Sequence, residues 1–172
     1  MNEAPDFAAP FEAWRVWTVA RRNGEYGLGS VVQHADWPVG EPLQAECLRR
    51  RGVIARLRGT PRHGAPDVGC ECGIYGAALK RIGQYVAEAP CHGVARVIGR
   101  VALWGTVIEC ERGFRASHAY PVRIYVPVDA GDPWRVSWED IAVGLWRYGV
   151  PVEALVARAT EATEQLAQRQ AA

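Results

Sequence analysis

The segment VARVIGRVALWGTVIEC, Val94–Cys110, decides the fold because its apolar residues fall on both alternating faces. A strand with that pattern is covered on each side and lies inside a sheet rather than at its edge. Gly99 and Gly105 within it predict bends or bulges, as in a strongly coiled sheet or a small barrel. We therefore predict a sheet built around this central strand.

Two further patterns extend the sheet on either side of that strand. After a polar turn, Phe114–Val126 predicts a second long strand, in which Pro121 indicates an edge or a bulge. Upstream, Ala13–Ala20 alternates around two tryptophans and is followed by Asn23-Gly24, a strong hairpin signal because both residues tolerate positive φ. These neighbours predict a curved antiparallel sheet.

Three helices are predicted beside the sheet. Apolar residues at helical spacing predict one inserted helix over Ile74–Glu88, Ser137 is a suitable N-cap for a second helix that stops at Gly149, and Pro151 opens a third. The last two resemble a helix-turn-helix in outline, but the acidic exposed side of the final helix favours an αα-hairpin packed on the sheet. The fold class predicted is α+β: a curved antiparallel β-sheet or small β-barrel with one inserted helix and two C-terminal helices.

Composition indicates one ordinary folded domain. The 172 residues are 49% hydrophobic and 23% charged, and the net charge of +1 gives no global field of the kind that marks a general nucleic-acid or membrane binder. No apolar run approaches the roughly 18 residues of a membrane span, and no signal-peptide pattern opens the sequence. We expect a cytoplasmic protein without a membrane partner, with residues 1–12 as a flexible lead-in and residues 13–172 as a single domain.

Three cysteines and a histidine form the sharpest candidate site. Cys47, His63, Cys70 and Cys72 fall within 26 residues and are flanked by turn formers. Zinc prefers thiolate and imidazole ligands, and a closed four-ligand site can pin a loop that has no apolar core of its own. On an extended chain Cys70 and Cys72 leave the same face. The sequence predicts a structural Cys3His zinc site, in which Cys91-His92 could replace one ligand.

Other interpretations of the reactive side chains stay open. Cys47 could pack in the core without a metal, or Cys70 and Cys72 could form a redox pair. His118 and Glu109, on the two arms of one hairpin, could meet across the strands as acid and base, or form a polar pair on an exposed face. The common motifs of hydrolases, zinc proteases and nucleotide enzymes are missing from the sequence, which disfavours an enzyme.

Two further groups of residues are candidate contact sites. The arginines between Arg49 and Arg62 could hold an RNA backbone or an acidic partner, or could simply be solvated. They are Arg49, Arg50, Arg51, Arg56, Arg58 and Arg62. Four tryptophans in or beside predicted strands could line a ligand pocket through stacking and cation–π attraction, or could fill the core. They are Trp14, Trp17, Trp37 and Trp104.

The sequence also resembles a group of uncharacterised bacterial proteins. The motifs that carry the resemblance are Trp37-Pro38, Cys47, His63-Gly64-Ala65-Pro66, CECGIY at Cys70–Tyr75, and GRVALWGTVIECERGFRASHAYP at Gly99–Pro121. The resemblance spans most of the chain and implies a self-contained bacterial domain, but it brings no activity and no catalytic residue.

These observations favour a non-enzymatic binding or regulatory module with an unidentified ligand or protein partner. The alternatives are a metal- or thiol-dependent enzyme that uses the Cys/His cluster, and an RNA-binding protein that uses the arginine segment.

Overall fold

A computed structural model describes residues 9–32, 35–47, 63–88, 93–128, 136–156 and 166–168. Seven strands and two α-helices have defined bounds in these ranges, and a 3-10 turn follows the second helix. In chain order they are β1 Phe11–Arg22, β2 Glu25–Ser30, β3 Leu43–Gln44, β4 Ile74–Ala77, α1 Leu79–Glu88, β5 Ala95–Cys110, β6 Gly113–Pro127, α2 Trp138–Leu145, the 3-10 turn Trp146–Tyr148 and β7 Val152–Leu155.

Strand β5 is the centre of the sheet, as its sequence pattern predicts. It pairs antiparallel with β6 on one side and antiparallel with β1 on the other. Val97 and Ile98 are neighbours that point to opposite faces, and both are fully buried. The prediction of a central strand covered on both faces is therefore confirmed for the first half of β5.

The irregularities of the β5–β6 hairpin also fall near residues that predict them. The pairing register shifts between Arg100 and Val101, opposite Pro121, and again between Trp104 and Val107, around Gly105. Each shift inserts an extra residue into one strand, which bends the ladder and increases its twist. Pro121 therefore marks a bulge rather than a sheet edge.

The β1–β2 hairpin turns through the predicted dipeptide. Asn23 and Gly24 have φ values of 51° and 86°, and the flanking residues Arg22 and Glu25 are paired. Two successive positive φ values match the right-handed twist of the strands that the turn connects. Strand β1 itself begins at Phe11, just before the predicted start at Ala13.

The sheet is mixed and only partly closed. Strand β6 pairs antiparallel with β5, β4 and β3 but parallel with β7, which corrects the prediction of a purely antiparallel sheet. Pairing also returns from β4 to β1, through the single pair Trp14↔Ala77. Because one residue pair is all that completes this circuit, the architecture is a β-rich α+β fold without a clear barrel.

The predicted third helix is wrong at its start. Val152–Leu155 forms β7, whose residues pair with Ile124–Pro127 of β6, so α2 is followed by a strand and the helix-turn-helix outline is absent. The free edge of β6 explains the outcome, since Leu155 becomes fully buried there while the backbone gains sheet hydrogen bonds. Residues 157–165 lie outside the described part of the chain, and 166–168 are helical.

The inserted helix is shorter than its sequence pattern predicts. Ile74–Ala77 is a strand between β1 and β6, and α1 begins at Leu79. Gly76 explains why the segment is extended, because a Cβ atom there would lie 2.6 Å from the Cβ of Ala13 and 2.8 Å from Cδ1 of Leu103. Only glycine lets β4 approach β1 and β5 this closely.

Apolar residues pack in two clusters. The larger one, which we call the apolar core, includes Trp17, Leu103 and Leu145 and is covered by α2. The smaller one includes Trp14 and Leu155 and is completed by α1. Ser137 caps α2 by accepting the Asp140 N–H at 3.1 Å, which confirms the predicted start of that helix. Among the helices described, none has the length and apolar character needed to cross a bilayer.

Candidate metal centre

The structure brings Cys47, His63, Cys70 and Cys72 together. One donor atom from each residue lies within 4.8 Å of the donor atoms of the other three. The four residues, which we call the metal centre, come from the segment after β3 and from the segment before β4. Donors separated by up to 25 positions in the sequence therefore share one small volume, as the sequence-based hypothesis of a Cys3His site requires.

Two of the donor separations within the metal centre match those of a tetrahedral zinc site. With Zn–S bonds of about 2.3 Å and Zn–N bonds of about 2.0 Å, two sulfur ligands lie about 3.8 Å apart and a sulfur and a nitrogen about 3.5 Å apart. The Cys47 and Cys70 Sγ atoms are 3.8 Å apart, and the Cys72 Sγ and His63 Nε2 atoms are 3.5 Å apart. The donors thus have the spacing of two edges of a ZnS3N tetrahedron.

Strand β6 supports both segments that supply the ligands. On one segment, Leu43 and Gln44 pair with β6, and the Ala45 N–H donates to Ser117 O at 2.7 Å, which leads the chain to Cys47. On the other, Ile74 pairs with Ala116 two residues after Cys72. Exposure alternates from Leu43 to a buried Cys47, as the alternating sequence pattern predicts.

A tight turn shapes the segment between His63 and β4. The Asp67 side chain accepts the Gly69 N–H at 2.8 Å, and the Asp67 carbonyl accepts the Cys70 N–H at 3.2 Å. Gly73 then adopts φ of +124°, where a Cβ atom would lie 3.0 Å from Pro66 and 3.1 Å from Arg115. A residue with a side chain would be strained there and would crowd both neighbours. This glycine lets the turn close over β6.

Arg115 is the residue of this site that sequence reasoning missed. It projects from β6, is only 8% exposed, and donates to the carbonyl oxygens of Cys70, Cys72 and Asp67. The Cys72 contact is 3.1 Å and the Asp67 contact 3.4 Å. The one signal in the sequence is a charged residue at a buried position of an otherwise half-apolar strand, and backbone acceptors leave no pattern of their own.

Electrostatics in the metal centre favour bound metal over free thiolates. Burial, and then a hydrogen bond with Cys70, raise the pKa of Cys72 to about 11, so this thiol keeps its proton at neutral pH without a metal. A dication in contact with the sulfur reverses this preference, because metal ligation requires the thiolate. Metal binding at this site should therefore release protons.

The His118 and Glu109 side chains do not face each other across the hairpin. His118 lies opposite Trp104, and Glu109 lies opposite Phe114. The His118 ring stacks on Trp104 with centroids 6.0 Å apart, and its Nδ1 lies 2.9 Å from the Ser117 hydroxyl. Glu109 lies five positions along β5 from Trp104, the residue opposite His118, so the predicted acid–base pair is not formed across these strands.

The four tryptophans are divided among separate environments. Trp17 and Trp37 pack edge to face in the apolar core with ring centroids 5.4 Å apart, whereas Trp14 stacks on Tyr125 in the smaller cluster. Trp14 and Trp17 are three positions apart on β1, and an odd separation places two side chains on opposite faces. A groove of about 960 Å³ is lined by Trp14 and by none of the other three.

The remaining candidate residues cannot be placed. Arg49, Arg50, Arg51, Arg56, Arg58 and Arg62, together with Cys91 and His92, lie outside the described residues. Contact of the arginine segment with RNA or with an acidic partner stays a prediction from sequence.

Comparisons of the chain with protein families, with curated proteins and with solved structures found no match. The case for function therefore rests on the geometry of the metal centre.

Proposed function

We propose that this chain is a non-enzymatic binding or regulatory module in which Cys47, His63, Cys70 and Cys72 hold one structural zinc ion. The observation that carries the proposal is the convergence of four donor atoms within 4.8 Å, with the two separations that a ZnS3N tetrahedron requires. The donor set suits zinc, since thiolate and imidazole ligands favour it over hard cations.

A structural zinc fits the site better than a catalytic zinc. Catalytic sites use three protein ligands and keep a fourth position open for water or substrate, whereas here four protein donors fill the coordination sphere. Cys47, Cys70 and Cys72 are 6%, 9% and 7% exposed, so a substrate would have little access to a metal held by them. The rival function, an enzyme that uses this cluster, needs an open coordination position.

The zinc would join the two ends of the arginine-rich segment. Cys47 precedes residues 48–62 and His63 follows them, so both ends of this 15-residue segment carry a ligand. A metal that closes such a loop stabilises the fold by restricting the unfolded chain and by supplying bonds where the apolar core is small. In this role the ion supports a binding surface and performs no chemistry.

The experiment is metal analysis of the full chain purified under reducing conditions. We expect one zinc per chain and no visible colour. Cys70→Ser should reduce the zinc content to near zero, while the matched control Cys110→Ser should leave it at one, because Cys110 is a partly exposed cysteine outside the cluster. A wild-type chain without metal would overturn the proposal. A brown chromophore would show that the site holds an iron–sulfur cluster instead of zinc.

Cobalt substitution separates the structural role from the catalytic one. Co²⁺ bound by three thiolates and one imidazole absorbs strongly in the visible range, and the spectrum reports any change of ligand. We expect the spectrum to be unchanged by added azide or cyanide, since a closed site has no position for them. A shifted spectrum would show an open position and would favour the enzyme.

A further inference from the structure

Arg115 is a buried cation whose hydrogen bonds reach the turn that carries Cys70 and Cys72. Its guanidinium donates to the carbonyls of Cys70 and Cys72, which belong to two of the ligands, and to the carbonyl of Asp67 at the start of the turn. Buried charges need a counter-charge or several hydrogen bonds. None of the salt bridges formed by the described residues includes Arg115, so these carbonyls and the nearby Tyr75 ring are its environment.

The loaded metal centre would supply the missing counter-charge. Three thiolates and Zn²⁺ carry a formal charge of −1, since the imidazole is neutral, and Arg115 carries +1. The carbonyl carbons of Cys70 and Cys72 are bonded directly to the Cα atoms of two ligands, so the guanidinium lies close to the loaded site. In a partly desolvated site, opposite charges at this distance attract more strongly than they do in water.

The same contacts fix the orientation of the ligand-bearing peptides. All three carbonyls are contacted by one guanidinium nitrogen, Nη1, whose two N–H groups have fixed directions in the guanidinium plane. Asp67 links both sides of this arrangement, because its carbonyl accepts from Arg115 while its backbone N–H hydrogen bonds to Cys72. Arg115 therefore sets the positions from which Cys70 and Cys72 reach a metal.

We propose that Arg115 is the positioning residue of the metal centre, which aligns the ligand-bearing turn and neutralises the charge of the loaded site. This inference rests on the proposed zinc function. Partners that orient metal ligands without contacting the ion typically change metal affinity by about 10- to 100-fold when they are mutated. Arg115 should belong to that class of residues.

The test compares zinc affinity in Arg115→Met, Arg115→Lys and Arg123→Met, each as the full chain in competition with a chromophoric chelator. Arg123 is the matched control, because it lies on the same strand but pairs with Glu153, away from the metal centre. We expect affinity to fall about 10- to 100-fold in Arg115→Met. Arg115→Lys should fall between Arg115→Met and wild type, because lysine restores the charge but not the position and fixed direction of the Nη1 donors. Arg123→Met should match wild type.

The Co²⁺ spectrum provides a readout that loss of stability alone does not move. Arg115→Lys and Arg115→Met should shift the thiolate-to-cobalt bands, while Arg123→Met should leave them in place. If wild type binds no zinc, the proposed function itself has failed. If wild type binds zinc and Arg115→Lys matches it in both affinity and spectrum, the role of Arg115 is overturned, and this variant decides the matter even where Arg115→Met does not fold.

Discussion

Around Trp17 the sheet is packed with fully buried apolar side chains, whereas the cluster at Cys72 consists of three buried cysteines with the buried Arg115 beside them. The apolar core includes two tryptophans in edge-to-face contact and the buried residues of α2. Among the described residues, the cysteine cluster has Ala65 as its one partly buried apolar neighbour. In the described part of the chain, one end of the sheet is therefore packed mainly with apolar side chains, and the other mainly with cysteines.

The polar contacts of the two ends differ in the same way. In the apolar core the Tyr148 hydroxyl accepts the Leu28 N–H at 2.8 Å and donates to Trp37 O at 2.9 Å. One side chain therefore satisfies two backbone groups. At the metal centre Arg115 serves three carbonyls of one turn, and the thiols face one another. These polar groups of the apolar core are thus paired within the chain, while the four donors of the metal centre are spaced so that they could share a metal ion.

The largest expected effect is on the apolar core. Trp17→Ala should lower the free energy of unfolding by about 3–5 kcal/mol, because it removes a fully buried indole and leaves a cavity beside Trp37. Urea denaturation measures this change. Trp146→Ala is the control, since Trp146 is 60% exposed, and it should cost less than about 0.5 kcal/mol. Similar losses of unfolding free energy in the two variants would contradict the conclusion that Trp17 is a main contributor to the apolar core.

Metal removal should have the next largest effect, and a local one. After chelation under reducing conditions, we expect amides of the turn at Gly69 and Cys70 to exchange about 100-fold faster, equivalent to about 3 kcal/mol. Amides of Val97 and Val101 in β5 should keep their protection, because the apolar core does not depend on the metal. Hydrogen exchange followed by mass spectrometry measures both regions.

The same experiment contains its own control. Cys70→Ser without zinc should exchange like the chelated wild type and should not respond to chelator. Equal acceleration in β5 and in the turn would show that the two ends unfold together, which would remove the contrast drawn between them. No acceleration in the turn would mean that the cysteine cluster holds its shape unaided.

Local signals account for the parts of the fold that could be predicted from sequence. Apolar residues on both faces identified β5, Asn23-Gly24 identified the β1–β2 turn, and Ser137 identified the start of α2. Each of these signals acts within a few residues, through steric preference, backbone hydrogen bonding or alternation. They required no knowledge of what lies across the molecule.

Distant partners account for the errors. Val152–Leu155 has helical spacing in its sequence, but the unpaired edge of β6 turns it into a strand. Ile74–Ala77 is extended because Gly76 fits between β1 and β5. In both cases the deciding neighbour is far away in sequence, and tertiary contacts override weak local propensity.

The candidate site also has a part that could be predicted from the sequence and a part that could not. The four donors could be predicted because zinc chemistry restricts ligands to a few residue types, so cysteine and histidine stand out in a sequence. Arg115 could not be predicted, since it contacts backbone carbonyls that every residue possesses. Nor could Tyr148, whose two hydrogen bonds are also to the backbone.

Tyr148 allows a smaller and sharper test of the apolar core. Tyr148→Phe should cost about 1–3 kcal/mol, because it leaves the buried Leu28 N–H without its acceptor. Tyr120→Phe is matched to it, since Tyr120 also accepts one N–H and donates to one carbonyl, but the Gly40 N–H that it serves is exposed. Water can replace that bond, so Tyr120→Phe should cost less in urea denaturation. A larger loss in Tyr120→Phe would contradict the view that the buried hydrogen bond of Tyr148 contributes more stability than the exposed one of Tyr120.

The smallest effect should be the part of the alkaline pH dependence that Tyr148 contributes in the apolar core. Burial raises the pKa of Tyr148 above its ordinary value of 10.0, so the folded chain keeps this proton at a pH where the unfolded chain has lost it. Stability contributed by the neutral phenol is therefore complete below pH 10 and is lost as the pH rises through the folded-state pKa. Wild type should lose more stability than Tyr148→Phe between pH 8 and about pH 10.5.

The metal centre should respond in the opposite direction, because protons compete with zinc for thiolates and imidazole, and zinc is lost as the pH falls. The two ends of the sheet should thus fail at opposite limits of pH, the metal centre in acid and the apolar core in alkali. Urea midpoints of zinc-loaded wild type and Tyr148→Phe, measured together with zinc content across the pH range, distinguish these two failures. If Tyr148→Phe lost stability in alkali as steeply as wild type, the alkaline limit would belong to another group and this part of the contrast would be wrong.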